Sequence, residues 1–165
     1  MKEDTPQEQS SVPVSLRQAT KDDLSFLFTV LTEAMKPVVK ILNPDKVFDQ
    51  EDERKKHEAE FVPEQIEVIQ YENKDVGRLR VVRTDESIYI GGIQILPEYQ
   101  GKGIGTAIFT NLIQESEQSG LPIALKVHDV NEQALNFYRN LGFIPGEKVK
   151  DQTMMRYVPA GKGSK

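Results

Sequence analysis

Apolar residues recur along this chain in two rhythms, and the switches between them mark its elements. Val12 to Ala19 reads as a first strand, after which Leu24, Leu27, Phe28, Leu31 and Met35 fall at helical spacing. Thr20-Lys-Asp-Asp23 has the form of a helix N-cap with acidic residues in the first turn, and Pro37 should end or kink the helix. Asn43-Pro44 predicts a second helix, with Asn as cap and Pro at the first helical position, continuing through the charged run Asp49 to Glu60. That helix should be mostly solvated, anchored by Val47, Phe48 and Phe61. Three strands follow, Ile66 to Tyr71, Val76 to Arg83 and Ile88 to Leu96, joined by the short turns Glu72 to Asp75 and Thr84 to Ser87. Such turns imply an antiparallel meander.

From Ile104 the period returns to helical, with Ile104, Ala107, Ile108, Leu112 and Ile113 as an apolar stripe that ends at Gly120. Leu121 to Val127 is a fifth strand. A strand, a helix of about fifteen residues and another strand make a crossover, so the fourth and fifth strands should lie parallel in one sheet. Asn131 to Leu141 reads as a last helix stopped by Gly142, and Phe143 to Val149 and Thr153 to Val158 supply the final strands. Residues 1–11 lack periodicity and read as a disordered tail, 12–159 as a single domain and 160–165 as a C-terminal tail.

Between the fourth strand and the stripe lies Gln100-Gly-Lys-Gly103-Ile-Gly105-Thr106. A glycine-rich turn entering a helix presents main-chain N–H groups and the positive end of the helix dipole, which suits a pyrophosphate, with Lys102 adding charge at the rim. Spacing separates three nucleotide-type readings. A Walker-type loop would need glycine at Leu96 and Ser or Thr at Gly103. A dinucleotide fingerprint from Gly101 and Gly103 meets Thr106 where its last glycine belongs. The third reading, Q-x-x-G-x-G at Gln100, Gly103 and Gly105, resembles the pyrophosphate loop of the GNAT superfamily of N-acetyltransferases. Some 25 residues on, Asn131, Ala134, Phe137, Tyr138, Gly142 and Phe143 match that family's N-x-x-A-x-x-(L/F)-Y-x-x-x-G-F segment. Two motifs in order make a joint signal that neither makes alone.

The resemblance implies an α/β (α+β-like) single-domain GNAT fold: a mixed, mostly antiparallel sheet of six to seven strands, helices on both faces, and a splayed parallel pair of fourth and fifth strands. Acetyl-CoA would be the cosubstrate. Its pantetheine arm would bond to the main chain of Ile95 and Leu96, with the pyrophosphate on Gln100, Gly101, Lys102, Gly103, Ile104, Gly105 and Thr106. Asn131 would either cap its helix or also face the arm. Tyr138 would protonate the departing thiolate or hydrogen-bond its sulfur, and the N–H of Leu96 would stabilise the oxyanion. Asn131 and Tyr138, seven apart, should share one helix face while Ala134, Phe137 and Leu141 turn toward the core.

Composition narrows the chemistry. With no cysteine and two histidines, a disulfide framework, a thiol nucleophile and a thiolate metal site are excluded, and no metal is expected. A formal charge of −5 argues against a general nucleic-acid binder. No apolar run approaches the ~20 residues of a membrane span, and the polar start lacks the apolar core of a signal peptide, so a soluble cytoplasmic protein is expected. The partners that the resemblance implies are acetyl-CoA and an unidentified primary amine, with a homodimer left open.

A dedicated base is the missing part. Gly91 and Gly92 occupy the stretch where many family members place a glutamate, leaving Glu58, Glu60, His57, His128 and Asp129 as nominal substitutes, or Tyr89 and Gln94 to order a water chain. Met35 to Asp52 should wall the acceptor site, where Asp45, Asp49, Glu51 and Asp52 could meet a cationic amine. A catalytically silent acyl-CoA sensor stays open as the alternative.

Overall fold

The computed structural model describes residues 12–47 and 49–160; the expected tail at 1–11, the end of the C-terminal tail at 161–165 and the anchor Phe48 lie outside them. Seven strands form one sheet in the order β1-β2-β3-β4-β5-β7-β6. In chain order the elements are β1 (Val14–Gln18), α1 (Leu24–Leu42), α2 (Gln50–Ala59), β2 (Ile66–Tyr71), β3 (Lys74–Arg83), β4 (Ile88–Ile95), α3 (Ile104–Ser119), β5 (Ile123–His128), α4 (Glu132–Asn140), β6 (Ile144–Val149) and β7 (Gln152–Tyr157). This is the expected order, and the expected mixed sheet with a parallel β4/β5 pair.

Two helices differ from the periodicity reading. Pro37 neither ends α1 nor caps anything; the helix runs through it to Leu42. A mid-helix proline costs about 3 kcal/mol, but Leu27, Phe28 and Val30 before it and Val38 after it are all buried, and that burial offsets the cost of continuing the helix. Asn43-Pro44 does not start α2. Asn43 closes α1, its N–H donating to Val39 O at 2.8 Å, and the cap of α2 is Asp49, whose Oδ1 accepts from the N–H of Glu51 and of Asp52 at 3.1 Å. Val47 anchors nothing, being 86% exposed, whereas Phe61 does pack. The start of α1 follows expectation: Thr20 and Asp23 form a capping box around a 3-10 turn, and Asp23 also accepts two bonds from Arg17.

Register sorts the sheet into two faces. Ile66 lies opposite Arg80 and Val68 opposite Arg78, so these four share one face, covered by α1 and α2 with Leu27, Phe26 and Phe61. Ile69 and Leu79 point the other way, into the larger core under α3 and α4 around Phe109 and Ile108. There Phe109 sits edge-on to Phe137, Tyr138 and Phe143, with ring centroids 5.2–5.9 Å apart.

Two features of β4 set up the site. Gly91 is an extra residue opposite the Arg80/Val81 step of β3, a bulge. Beside β5, moreover, the parallel ladder comprises just Ile88↔Ile123 and Tyr89↔Ala124. Past the bulge β4 leaves β5, as the fold expectation required.

Candidate functional site

The gap opens along Gly91 to Leu96, and antiparallel geometry decides which main-chain groups face it. Leu96 N–H donates to Val76 O at 2.9 Å, so it is turned toward β3. This corrects the expectation that Leu96 supplies the oxyanion donor, because a committed N–H faces the wrong strand. Antiparallel strands alternate between bonded and non-bonded pairs, so Ile95, opposite Gly77, is the residue whose N–H and C=O point to the β5 side. Gln100 Nε2 donates to that carbonyl at 2.8 Å. The N–H of Ile95 is left facing the gap, with that of Ile93 two residues before it. The Gln100 side chain thus braces the end of β4 against the loop.

Beyond Gln100 the chain turns through Gly101 and Gly103, with φ of +79° and +83°, a region that favours glycine. A Cβ at Gly101 would meet nothing within 4 Å, so its backbone is open to a ligand. The first bond of α3 runs from Ala107 N–H to Gly103 O at 3.0 Å. The N–H groups of Ile104, Gly105 and Thr106 therefore have no helical partner. Ile104 is buried and fixes the helix, while Gly101, Lys102, Gly103 and Thr106 are exposed. Free N–H donors at a helix start, with one lysine at the rim, suit a pyrophosphate.

Asn131 caps α4, its Oδ1 accepting from Ala134 N–H at 3.2 Å. On that helix the burial differs from the helical-face expectation. Tyr138 is the buried residue at 7% exposure, and Ala134, Phe137 and Leu141 are only half-buried. The phenol enters the aromatic cluster because Phe109 and Phe143 receive its ring edge-on at 5.2 and 5.4 Å. Burial alone pushes its pKa upward, with no hydrogen bond contributing, so it remains a proton-bearing donor across the working pH range.

The substitute bases scatter. Asp129 accepts from Thr153 at 2.5 Å and Lys148 at 3.2 Å, Glu58 pairs with Arg54, and His128 lies 3.9 Å from Asp151. Gln94 Oε1 accepts from Arg78 Nη1 at 2.7 Å. His57 and Glu60 do come together, lining a cavity of about 330 Å³ with Arg78, Arg80 and Gly91 on the α1/α2 face. His57 Nε2 is buried without a partner, and desolvation followed by the nearby Arg78 charge holds its pKa below the usual imidazole value. Neither arginine was anticipated from sequence, where they read as the polar positions of a meander strand. The signal that could have found them is their register against apolar Ile66 and Val68. Of the acidic residues expected to greet an amine, none of Asp45, Asp49, Glu51 and Asp52 lines this cavity or the larger one beside it.

Residues 35–143 match the acetyltransferase (GNAT) family, a span that takes in the β4/β5 gap, the loop and the tyrosine helix. The chain belongs to the GNAT family. GNAT neighbours share the fold at low identity. The PaiA N-acetyltransferase of Thermoplasma acidophilum, solved in complex with coenzyme A, superposes with a TM-score of 0.69 at 16% identity, covering 88% of this chain and 98% of that one. An acetyltransferase of Thermus thermophilus gives 0.68 at 18% identity, covering 89% and 97%. Among curated proteins, the thialysine N-epsilon-acetyltransferase of Mus musculus is 35% identical over 60 residues, 36% of this chain and 35% of that protein. The chain therefore matches about a third of that relative's length.

Proposed function

We propose that the protein transfers acetyl from acetyl-CoA to a primary amine by direct attack in a ternary complex. The observation that carries this reading is the run of N–H groups from Ile104 to Thr106 that have no partner among the described residues, set at the end of a strand that has left its parallel neighbour. Open backbone at Gly101 and the free N–H of Ile95 fit a pyrophosphate and an extended arm laid beside β4. The bound thioester supplies an activated acetyl carbon. As the carbon–nitrogen bond forms and the carbon–sulfur bond breaks, one proton leaves nitrogen and one reaches sulfur.

Tyr138, kept protonated by burial, is suited to hydrogen-bond the departing sulfur, a group whose ordinary pKa is about 8.5 and which takes its proton from the amine by way of solvent. In place of Leu96, the N–H of Ile95 is the main-chain donor for the oxyanion. His57 lines the same cavity as Gly91, and desolvation holds its imidazole below the usual pKa. The test is thermal unfolding with acetyl-CoA beside CoA, ATP and NAD, followed by release of free thiol. A hundredfold excess over Kd adds about 2.7 kcal/mol, or roughly 5–10 °C for this size. Stabilisation by ATP or NAD but not by CoA sinks the reading.

A sensor without turnover is the second reading, favoured by one observation: β4 has no carboxylate at the bulge, where a Cβ at Gly91 would lie 2.6 Å from Arg80 Nη1. Thiol release with any amine decides against it.

A further inference from the structure

The cavity on the α1/α2 face holds more positive charge than its surroundings account for. Arg78 is 7% exposed and Arg80 half-buried, yet neither has a carboxylate partner among the described residues. Neutral amides hold them instead. Gln94 takes Arg78 Nη1, and Gln65 Oε1 takes both Nε and Nη2 of Arg80 at 3.1 and 2.8 Å. That leaves Arg78 Nη2 and Arg80 Nη1 without hydrogen bonds among the described residues, and Arg78 Nε buried with no partner at all. Desolvation, then the neighbouring Arg80 charge, pushes the Arg78 pKa down to about 10, still a cation at neutral pH. Glu60 is the one acid among the described residues that line the cavity, and it forms no ion pair with any of them.

Burying unpaired guanidinium is costly unless something completes it. The molecule makes space for this arrangement: the missing Cβ of Gly91 is where Arg80 Nη1 lies, at 2.6 Å from the position that Cβ would take. The cavity, about 330 Å³, falls in the ~300–1,000 Å³ range of small-molecule sites. It shares Leu31, His57 and Glu60 with an adjoining cavity of about 670 Å³ between α1 and α2, which Lys36, Lys40 and Lys46 also border. Glu33 and Glu53 line that adjoining space too and pair with Lys36 and Lys46, so the unpaired guanidinium groups are confined to the smaller cavity.

We infer that the amine acceptor carries a carboxylate, bound by Arg78 and Arg80 in the cavity beside the Gly91 bulge, so that the acceptor class is amino acids rather than polyamines. Two amino groups from two fixed guanidinium planes give a carboxylate a two-point contact that orients it. Gly91 is where β4 leaves β5, so an amine tethered to that carboxylate lies within one short side chain of the gap. The inference rests on the acetyl-transfer reading above, and it reverses the expectation of an acidic greeting for a cationic amine.

The experiment compares acceptors that differ only by the acid group, L-lysine with cadaverine, L-ornithine with putrescine and β-alanine with ethylamine, by thiol release from acetyl-CoA with the full chain. We expect kcat/KM at least tenfold higher for the carboxylate member of at least one pair. In Arg78→Gln, that ratio falls about 10–100-fold, mainly through KM, and Arg78→Lys restores part of it. Arg80→Gln, at a half-exposed position, gives the same collapse should Arg78→Gln fail to fold. Equal rates within every pair, or faster reaction of the decarboxylated members, overturn the inference while acetyl transfer stands. No turnover of any carboxylate amine by a protein that acetyl-CoA still stabilises overturns it also. Absence of stabilisation by acetyl-CoA overturns the acetyl-transfer reading itself.

Discussion

The two faces of the sheet are built from different chemistry. Under α3 and α4, the candidate cofactor side is a continuous apolar core in which the groups offered to a ligand are main-chain N–H groups and one phenol. Under α1 and α2, the apolar cluster is small, and the groups offered are side chains: two guanidinium groups, an imidazole and a carboxylate. Backbone donors need glycine and a fixed helix start, which restrict sequence tightly. Side-chain donors need only a register, which many sequences satisfy. One face can therefore stay constant across a family while the other varies with the acceptor.

Substitutions can break this contrast, beginning with the core. Phe109→Ala should cost about 3–5 kcal/mol in urea denaturation, because the ring is wholly buried against three others. If the cost is below 1 kcal/mol, the aromatic cluster does not support the cofactor face. Tyr138→Phe should lower kcat about 100-fold, equivalent to about 2.7 kcal/mol, while unfolding changes far less. Unchanged turnover at every pH would mean the tyrosine only packs.

On the opposite face, Asp23→Asn should destabilise by about 1–3 kcal/mol, since it removes the negative charge and one of the two oxygens that accept from Arg17 at 2.8 and 3.0 Å. The Arg17 hydrogen bond holds the Asp23 carboxyl below its usual pKa. Its contribution is consequently complete above the ordinary carboxylate value, about 3.9, and lost as pH falls through the lower folded value. The gap between wild type and variant should narrow on acidification; a gap constant from pH 5 to 2 would contradict this. Gly103→Ala should cost about 1–2 kcal/mol through its positive φ, and it should reduce stabilisation by acetyl-CoA. The smallest effect is spectroscopic. The His57 imidazole should titrate below 6.5 by NMR, so its contribution to stability is lost as pH drops beneath that value, and Arg78→Gln should move the titration upward.

How much of this was legible beforehand follows the same division. Strand order, the crossover and the loop were readable because periodicity and glycines report backbone geometry directly. What failed was local reading overruled by burial: Pro37 passes inside α1, and Tyr138 goes deeper than Phe137. Leu96 was misread for a subtler reason. A strand position is visible in sequence, but the side to which its N–H points depends on the partner's register and on the Gly91 bulge. Arg78 and Arg80 were invisible as a site because alternation alone gives the face of a strand, not which helices cover it.

The two-pair ladder between β4 and β5 has a mechanical side. It makes the sheet two plates, β1 to β4 and β5 to β7, fastened along one short seam at Ile88 and Tyr89. A slender ligand lying along the open part of that seam would act as an eighth strand and weld the plates. Stiffness would then spread across the whole sheet, so amides of β5 and β7, remote from any bound group, should slow their hydrogen exchange together with those of β4.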